Sequence, residues 1–531
     1  MELQKSGLSF KHLPEKNIEK LGNSTLNLIN LIGVDTSRDT HYGKKEDMEL
    51  ARKKFHNDVF SIDRGIYAAV FCMPGVIEFA RQGAIKALLS NPRYNGTQSV
   101  INTSTENLII SKLLRELQPN KVLNTFVEMV DNKVNNSRTR RNMLTYIFTS
   151  PSLELWAVKY KPKILKVLTH CWNLRYKNIV KAILSTSTGK LSHRRLTGKE
   201  MSYLNQDFLR FKNPKLDETG MMECVAFILG IKGPYKTRML KAYEDSKKDI
   251  KAGSILPYDI LDGIRSTYHP DVTKAQLLEM TKRRMTHKQR KLVQSSAKKA
   301  GVAITFNPMT QPMTDLFIYS YKMGMSKDVR NAIQIKAKRA AQTLPFHYGK
   351  IGIVFDSSIS MSGSKTQQMR PISVASATKE MLKYACEELY VERVGGLLNK
   401  RNGLIYPEGD SCLAIPFVKI VEKEPDAIFI ISDGYENVPS GRTFEVIEIL
   451  KRLGFNTPIY HINPVAASES KVGVRQLSDN IPVMPISKPE AVGLTFFKPM
   501  LEVDPLQGLK ALMNMVLPLL EGPKKRREVR A

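Results

Sequence analysis

Lys350-Ile351-Gly352-Ile353-Val354-Phe355-Asp356-Ser357-Ser358-Ile359-Ser360-Met361 is the stretch on which the reading of this chain turns. A short run of apolar β-formers breaks at Asp356 into a polar loop, which predicts a buried strand ending in a turn. Asp356, Ser358 and Ser360 carry oxygen side chains two residues apart. On a turn at the carboxyl end of a strand such oxygens can all face one hard cation, and Mg²⁺ takes oxygen ligands while keeping several waters.

Outward from this stretch the same alternation recurs. A helical stretch is predicted from about Ser373 to Tyr390, then a second apolar run, Ala427-Ile428-Phe429-Ile430-Ile431, followed by the loop Ser432-Asp433-Gly434. A helix from Glu445 to Leu453 with Gly454 as its cap follows, and then Pro458–Ile462 and Ile481–Met484 as two more strands. Strands alternating with helices predict a mostly parallel sheet covered on both faces. In such sheets ligands bind at the carboxyl ends of the strands, so Asp433 falls on the same edge as Asp356.

N-terminal to Lys350 the pattern is helical. Leu108 to Leu117, Val122 to Val130, Met143 to Phe148, Trp156 to Trp172 and Ile179 to Leu184 repeat apolar residues at helix spacing. Gln118-Pro119-Asn120 and Thr149-Ser150-Pro151 punctuate them. Further helices are expected over Gly43–Asn57, Met221–Leu229, Tyr258–Ile264, Lys274–Met285 and Met313–Ala340. Serial helices with short turns suggest an α-solenoid of HEAT type. The expected organisation is a basic α-helical domain over residues 1–345, an α/β domain over 346–490, and a C-terminal helix with a basic tail over 491–531.

The chain of 531 residues is 42% hydrophobic and 25% charged, as folded proteins are, and its formal charge is +30. Residues 1–350 hold 59 Lys and Arg against 30 Asp and Glu, so nearly all the excess is N-terminal. A field of that sign favours a polyanion through phosphate contacts and counterion release. Three clusters are candidates for RNA contact: Arg138, Arg140 and Arg141; His193, Arg194 and Arg195; and Lys282, Arg283, Arg284, Lys288, Arg290 and Lys291. Tyr160, Trp172, Tyr176 and Tyr203 could stack on bases, although aromatics at helical spacing are more often core, and core is the expectation for Trp172. Lys524-Lys525-Arg526-Arg527 reads as a solvated terminus, a nuclear signal or a nucleic-acid arm.

The five cysteines lie far apart with no C-x-x-C pair, as buried thiols in a reducing compartment do. No signal-peptide block and no membrane-length apolar window is present, and a cytoplasmic location is expected. Phosphate-binding loop, nucleophile elbow and His-Glu-x-x-His patterns are all missing, which favours a binding protein over an enzyme.

Over about Gly349 to Ser487 the two loop motifs resemble the von Willebrand A family and its metal-ion-dependent adhesion site (MIDAS). The resemblance implies a Rossmann-like fold, direct ligation of Mg²⁺ or Mn²⁺ by Ser358 and Ser360, and carboxylates from Asp356 and Asp433 bound directly or through water. Where the family offers a Thr, this chain has Glu408-Gly409-Asp410-Ser411, so either Asp410 or Ser411 is the third-loop ligand. Placed behind a basic helical region, this domain order resembles the Ro autoantigen family, whose helical TROVE module forms a HEAT-like ring. Ile255–Leu261 looks like that module's Leu-Pro-x-x-x-Leu-Leu segment, and Asp315–Gly324 like its last apolar helix. Membership implies a ribonucleoprotein that holds small structured or misfolded non-coding RNA, often beside an exonuclease. The competing expectation is a metal-dependent protein-interaction adaptor, for example beside an AAA+ ATPase, with no physiological RNA ligand.

Overall fold

The computed structural model describes residues 8–33, 45–93, 98–187, 209–365, 367–399, 401–465, 475–478 and 481–520. It contains a helical N-terminal region and a C-terminal parallel sheet with helices, in two compact units. The first unit joins residues 1–84, 93–115 and 311–531, and the second joins 85–92 and 116–310. The units cut across the sequence boundary at 345, because the helices nearest both ends of the long helical region belong with the sheet.

Five strands build that sheet: β1 (Tyr348–Asp356), β2 (Cys386–Val394), β5 (Ala427–Ile431), β6 (Ile459–Asn463) and β7 (Val483–Pro485), in the order β2-β1-β5-β6-β7 and parallel throughout. A two-stranded hairpin, β3 (Leu397–Leu398) with β4 (Ile405–Tyr406), lies between β2 and β5 in sequence. Among the described residues the first strand is β1. Side chains alternate across the sheet as a pleat demands. Val354, Ile428 and Ile430 join Leu413, Phe417 and Ile447 in one buried cluster. Phe429 belongs to the opposite face, stacked on Tyr460 at 5.3 Å between centroids. Gly352 lies at the centre of β1, where an added Cβ would come within 2.3 Å of the Ile420 side chain. The helix Ala414–Val421 can therefore lie close on the strand.

Two sequence expectations change here. The helix predicted over Ser373–Tyr390 is the helix Arg370–Leu382, and the chain then turns into β2, an edge strand whose Glu387, Glu388 and Glu392 are solvated enough to disguise it. The helix expected over Met313–Ala340 is two helices, Met313–Met323 and Lys327–Ala341, broken at Gly324 with φ +90°. Both contact Arg370–Leu382, and Tyr321 donates to the Ile405 carbonyl at 2.7 Å.

The rest of the first unit is a helical layer. Arg64–Cys72 is buried at all nine residues and contacts Pro505–Leu520, as does Glu15–Leu31. Its start is fixed by Asp63, whose carboxylate accepts the amides of Gly65 and Ile66 at 2.8 Å each. Arg64 is buried because Glu106 takes its guanidinium through two bonds of 2.9 and 2.8 Å, which meets the requirement that a buried charge be paired.

The second unit is helical wherever it is described. Pro119–Asp131 and Ser137–Phe148 both pack on Lys161–Trp172, with Trp172 at 1% exposure in the core as expected. Lys274–Thr281 and His287–Leu292 each begin with a reciprocal capping box, Thr273 with Gln276 and Thr286 with Gln289. The helix predicted over Lys274–Met285 thus stops at Thr281, and the basic run from Lys282 forms the connection to the next. Among the described residues no helix is long and apolar enough to cross a membrane. Cys72, Cys171, Cys224 and Cys386 are buried free thiols, and Cys412 is half-buried.

Candidate metal centre

From β1 the chain runs outward to β2, and it then returns across the sheet to β5 on the other side of β1. The reversal of strand order between β1 and β5 is the switch point at which α/β sheets bind ligands. Asp356 is the last residue of β1, and Ser432-Asp433 immediately follow β5.

Asp356 is fully buried. Its Oδ1 accepts the Ser358 amide at 2.9 Å and its Oδ2 accepts the Ser432 hydroxyl at 2.6 Å. Burial pushes the carboxyl above the ordinary Asp range, opposed by these hydrogen bonds. Ser358, nearly buried, and Ser360, exposed, bring their hydroxyl oxygens within 3.1 Å of each other. Ser432 also accepts the Gly434 amide at 3.0 Å, which shapes the turn carrying Asp433. Asp433 is 3% exposed, its Oδ1 accepts the Tyr435 amide at 3.1 Å, and its carbonyl accepts Asn463 Nδ2 at 3.0 Å.

The third loop is tied to the first by backbone bonds. Ile359 donates to the Gly409 carbonyl and Glu408 to the Ser357 carbonyl, both at 3.0 Å. Asp410 is exposed, whereas Ser411 is buried and donates its hydroxyl proton to the Tyr435 carbonyl at 2.6 Å. A carboxylate and a hydroxyl oxygen with lone pairs to offer therefore flank each other on this loop. Sequence reasoning missed Glu436, which is nearly buried and accepts the Leu413 amide at 3.2 Å, the Thr443 amide at 2.9 Å and the Thr443 hydroxyl at 2.6 Å. It holds the loops after β4 and β5 in register, and its position three residues beyond Asp433 was its only signal.

Two further titratable groups of the sheet domain are buried. His461 on β6 lies against the Ser432 carbonyl, Nε2 to oxygen 3.0 Å, and burial pushes it down to about 4. Lys498 donates to the Val483 carbonyl, and burial lowers it to about 7.

Among the described residues no group of three or more His, Cys, Asp or Glu side chains could hold a metal ion. An ion at this edge would depend on Ser358 and Ser360 hydroxyls and water beside Asp356 and Asp433. That all-oxygen, half-aqueous set fits Mg²⁺ or Mn²⁺ and excludes a soft-metal site.

Of the proposed RNA contacts, Arg138, Arg140 and Arg141 lie in the first two turns of Ser137–Phe148, and Lys282 to Lys291 lie in and after the turn between Lys274–Thr281 and His287–Leu292; both groups belong to the second unit. Arg283, Arg284 and Lys288 are exposed. Lys282 pairs with Glu279. Arg290, half-buried, is tied to its own turn, donating to the carbonyls of Met285 at 3.1 Å, Arg283 at 3.1 Å and Thr305 at 3.4 Å. His193, Arg194, Arg195 and Tyr203 lie outside the described residues, as does the basic tail.

The fold and site define an α/β domain with a parallel five-stranded sheet and an oxygen-rich loop cluster at its switch point, joined to a basic helical region. No protein-family model matches the chain, and a search of curated proteins finds no match.

Proposed function

We propose that this protein is a binding protein rather than an enzyme, a cytoplasmic RNA-binding scaffold like the Ro proteins whose α/β domain is of the von Willebrand A type. The observation that carries the reading is where the charge sits. The second unit holds 37 Lys and Arg against 16 Asp and Glu, a net +21 of the chain's +30. On consecutive short helices of HEAT type, exposed basic turns such as Arg283-Arg284 track a phosphate backbone by shape, which suits small structured or misfolded RNA. The Asp356, Ser358, Ser360 and Asp433 cluster would hold one Mg²⁺ or Mn²⁺, with Asp410 or Ser411 completing it. Such an ion offers an open position to a partner's carboxylate, an exonuclease among the candidates.

Binding of structured RNA to the full chain across a salt series tests this. Log K is expected to fall by roughly 0.7 to 0.9 per phosphate contacted for each tenfold rise in salt. Replacing Arg283, Arg284 and Lys288 by Ala should lower both affinity and slope. RNA binding that ignores salt, or no binding at all, overturns the reading. The loop cluster alone favours a second reading, an adaptor that grips an acidic partner, for example beside an AAA+ ATPase, without RNA. Partner capture that requires Mg²⁺ and survives RNase would decide for it.

A further inference from the structure

The second unit contains a cavity of about 910 Å³ to which the helices Leu153–Lys159, Lys161–Trp172 and Tyr258–Tyr268 all contribute. Ile264, buried, and Ile260, half-buried, give it apolar walls, while Gln118 and Thr267 are exposed at a polar rim. Tyr160, one of the sequence's candidates for stacking on bases, lines it, and so does Tyr268, 53% exposed at the end of its helix. The volume falls within the roughly 300 to 1,000 Å³ of small-molecule sites.

Gly263 stands in the middle of Tyr258–Tyr268 and lines the cavity. Glycine is among the poorest helix formers, and inside a helix it usually answers to a neighbour that leaves no room for a Cβ or to a left-handed φ. Gly263 has no positive φ, and among the described residues no atom outside its own helix backbone and its two chain neighbours comes within 4 Å of where the Cβ would sit. Neither packing nor conformation asks for glycine here. What a side chain at this position would do is fill the cavity.

The charged groups of the lining are engaged with protein partners. Lys159 pairs with Asp259 at 2.5 Å, Lys163 donates to Asn120 Oδ1 at 2.5 Å, and both ammonium groups lie near the Tyr160 ring, at 5.8 and 5.9 Å from its centroid. Apolar walls, aromatic rings and a hydrogen-bonding rim suit an uncharged flat ligand with apolar faces and polar edges, which is the chemistry of a nucleobase. Asp259 also accepts Gln289 Nε2 at 3.1 Å, and Gln289 follows Lys288 in the basic helix His287–Leu292. The cavity therefore adjoins the cations that the RNA reading assigns to phosphates.

We propose that this cavity binds a nucleobase, and, resting on the RNA-binding reading above, that the base belongs to an unpaired RNA nucleotide whose neighbouring phosphates lie on the basic turn at Arg283, Arg284 and Lys288. The base stacks on Tyr268, and Gln118 and Thr267 serve its polar edge. Gly263 keeps the space open.

The experiment uses the full chain and two single-stranded RNA octamers of equal charge, one with a base at every position and one abasic throughout, with the four nucleoside monophosphates as separate calorimetric probes. The base-bearing octamer is expected to bind roughly tenfold tighter, the scale of one stacked base. Gly263→Leu should remove that difference and leave the affinity for the abasic octamer unchanged, with a thermal midpoint no lower than wild type; should it fail to fold, Tyr268→Ala, at an exposed position, tests the same loss. Arg283→Gln/Arg284→Gln should weaken both octamers alike and keep their ratio. Equal wild-type affinities for the two octamers would overturn the pocket and leave RNA binding standing. A preference that survives both Gly263→Leu and Tyr268→Ala would overturn it too, since the bases then bind elsewhere. If no RNA binds but a nucleoside monophosphate gives a calorimetric signal that Gly263→Leu abolishes, the base site stands, its source is a free nucleotide, and the RNA reading falls. If neither binds, both fall.

Discussion

Replacing Asp356 by Asn should change how the first unit responds to Mg²⁺ far more than how stable it is without it. The carboxylate is fully buried and receives two donors, the Ser432 hydroxyl at 2.6 Å and the Ser358 amide at 2.9 Å. Bonds to a charged group contribute about 1.5 to 3 kcal/mol each. Burying an ion costs several kcal/mol, so without a cation the two nearly cancel. Asn keeps an oxygen for the Ser358 amide and removes the buried charge. In EDTA the variant is therefore expected within about 1 kcal/mol of wild type. With Mg²⁺ at a hundred times its dissociation constant the wild type should gain about 2.7 kcal/mol and the variant nearly none. Urea unfolding followed by near-ultraviolet circular dichroism, with and without Mg²⁺, measures both differences. Equal Mg²⁺ stabilisation of the two proteins, or none in the wild type at millimolar Mg²⁺, would refute the metal assignment. A loss above about 3 kcal/mol already in EDTA would show that the carboxylate is structural.

Three further outcomes are expected. Glu436→Ala strands the Leu413 and Thr443 donors and should cost about 2 to 4 kcal/mol in denaturant unfolding, with Glu436→Gln costing less; a loss below about 1 kcal/mol would contradict the loop-tying role. Arg290→Ala breaks three bonds to carbonyls and should cost about 1 to 3 kcal/mol, whereas Arg284→Ala should stay within about 0.5, so equal thermal midpoints for the two would argue against the turn-tying role of Arg290. Lys498 is pushed down to about 7 from 10.5, so between those values the unfolded chain holds the proton that the folded one lacks. Stability from this group thus rises with pH through that window, by up to about 1.4 kcal/mol per unit. Lys498→Met should be the more stable protein near pH 6 and lose its advantage by pH 10; parallel urea midpoints across that range would overturn the assignment.

Legibility in the sequence followed burial. Ala427–Ile431 is buried at every residue, and its expected limits match the strand. β2 is half solvated, so its glutamates read as the continuation of a helix, and only pairing with β1 makes it a strand. Asp356, Ser358, Ser360 and Asp433 were legible as oxygen donors because two apolar strands deliver them to one sheet edge. Glu436 was not, since its partners Leu413 and Thr443 lie on separate segments. Arg290 reads in sequence like Arg284, and only the carbonyls of a particular turn distinguish them.

The contact of Arg64–Cys72 with Pro505–Leu520 sets an order on biosynthesis. About 430 residues separate the two helices, so at ribosomal speeds of roughly 5 to 20 residues per second the earlier one waits some 20 to 90 s for its cover. Throughout that interval a helix that is buried at every residue in the folded protein has left the ribosome without its final partner. The nascent chain is thus most exposed to chaperones, and to aggregation, at its beginning, and a stop codon before Pro505 would make that exposure permanent.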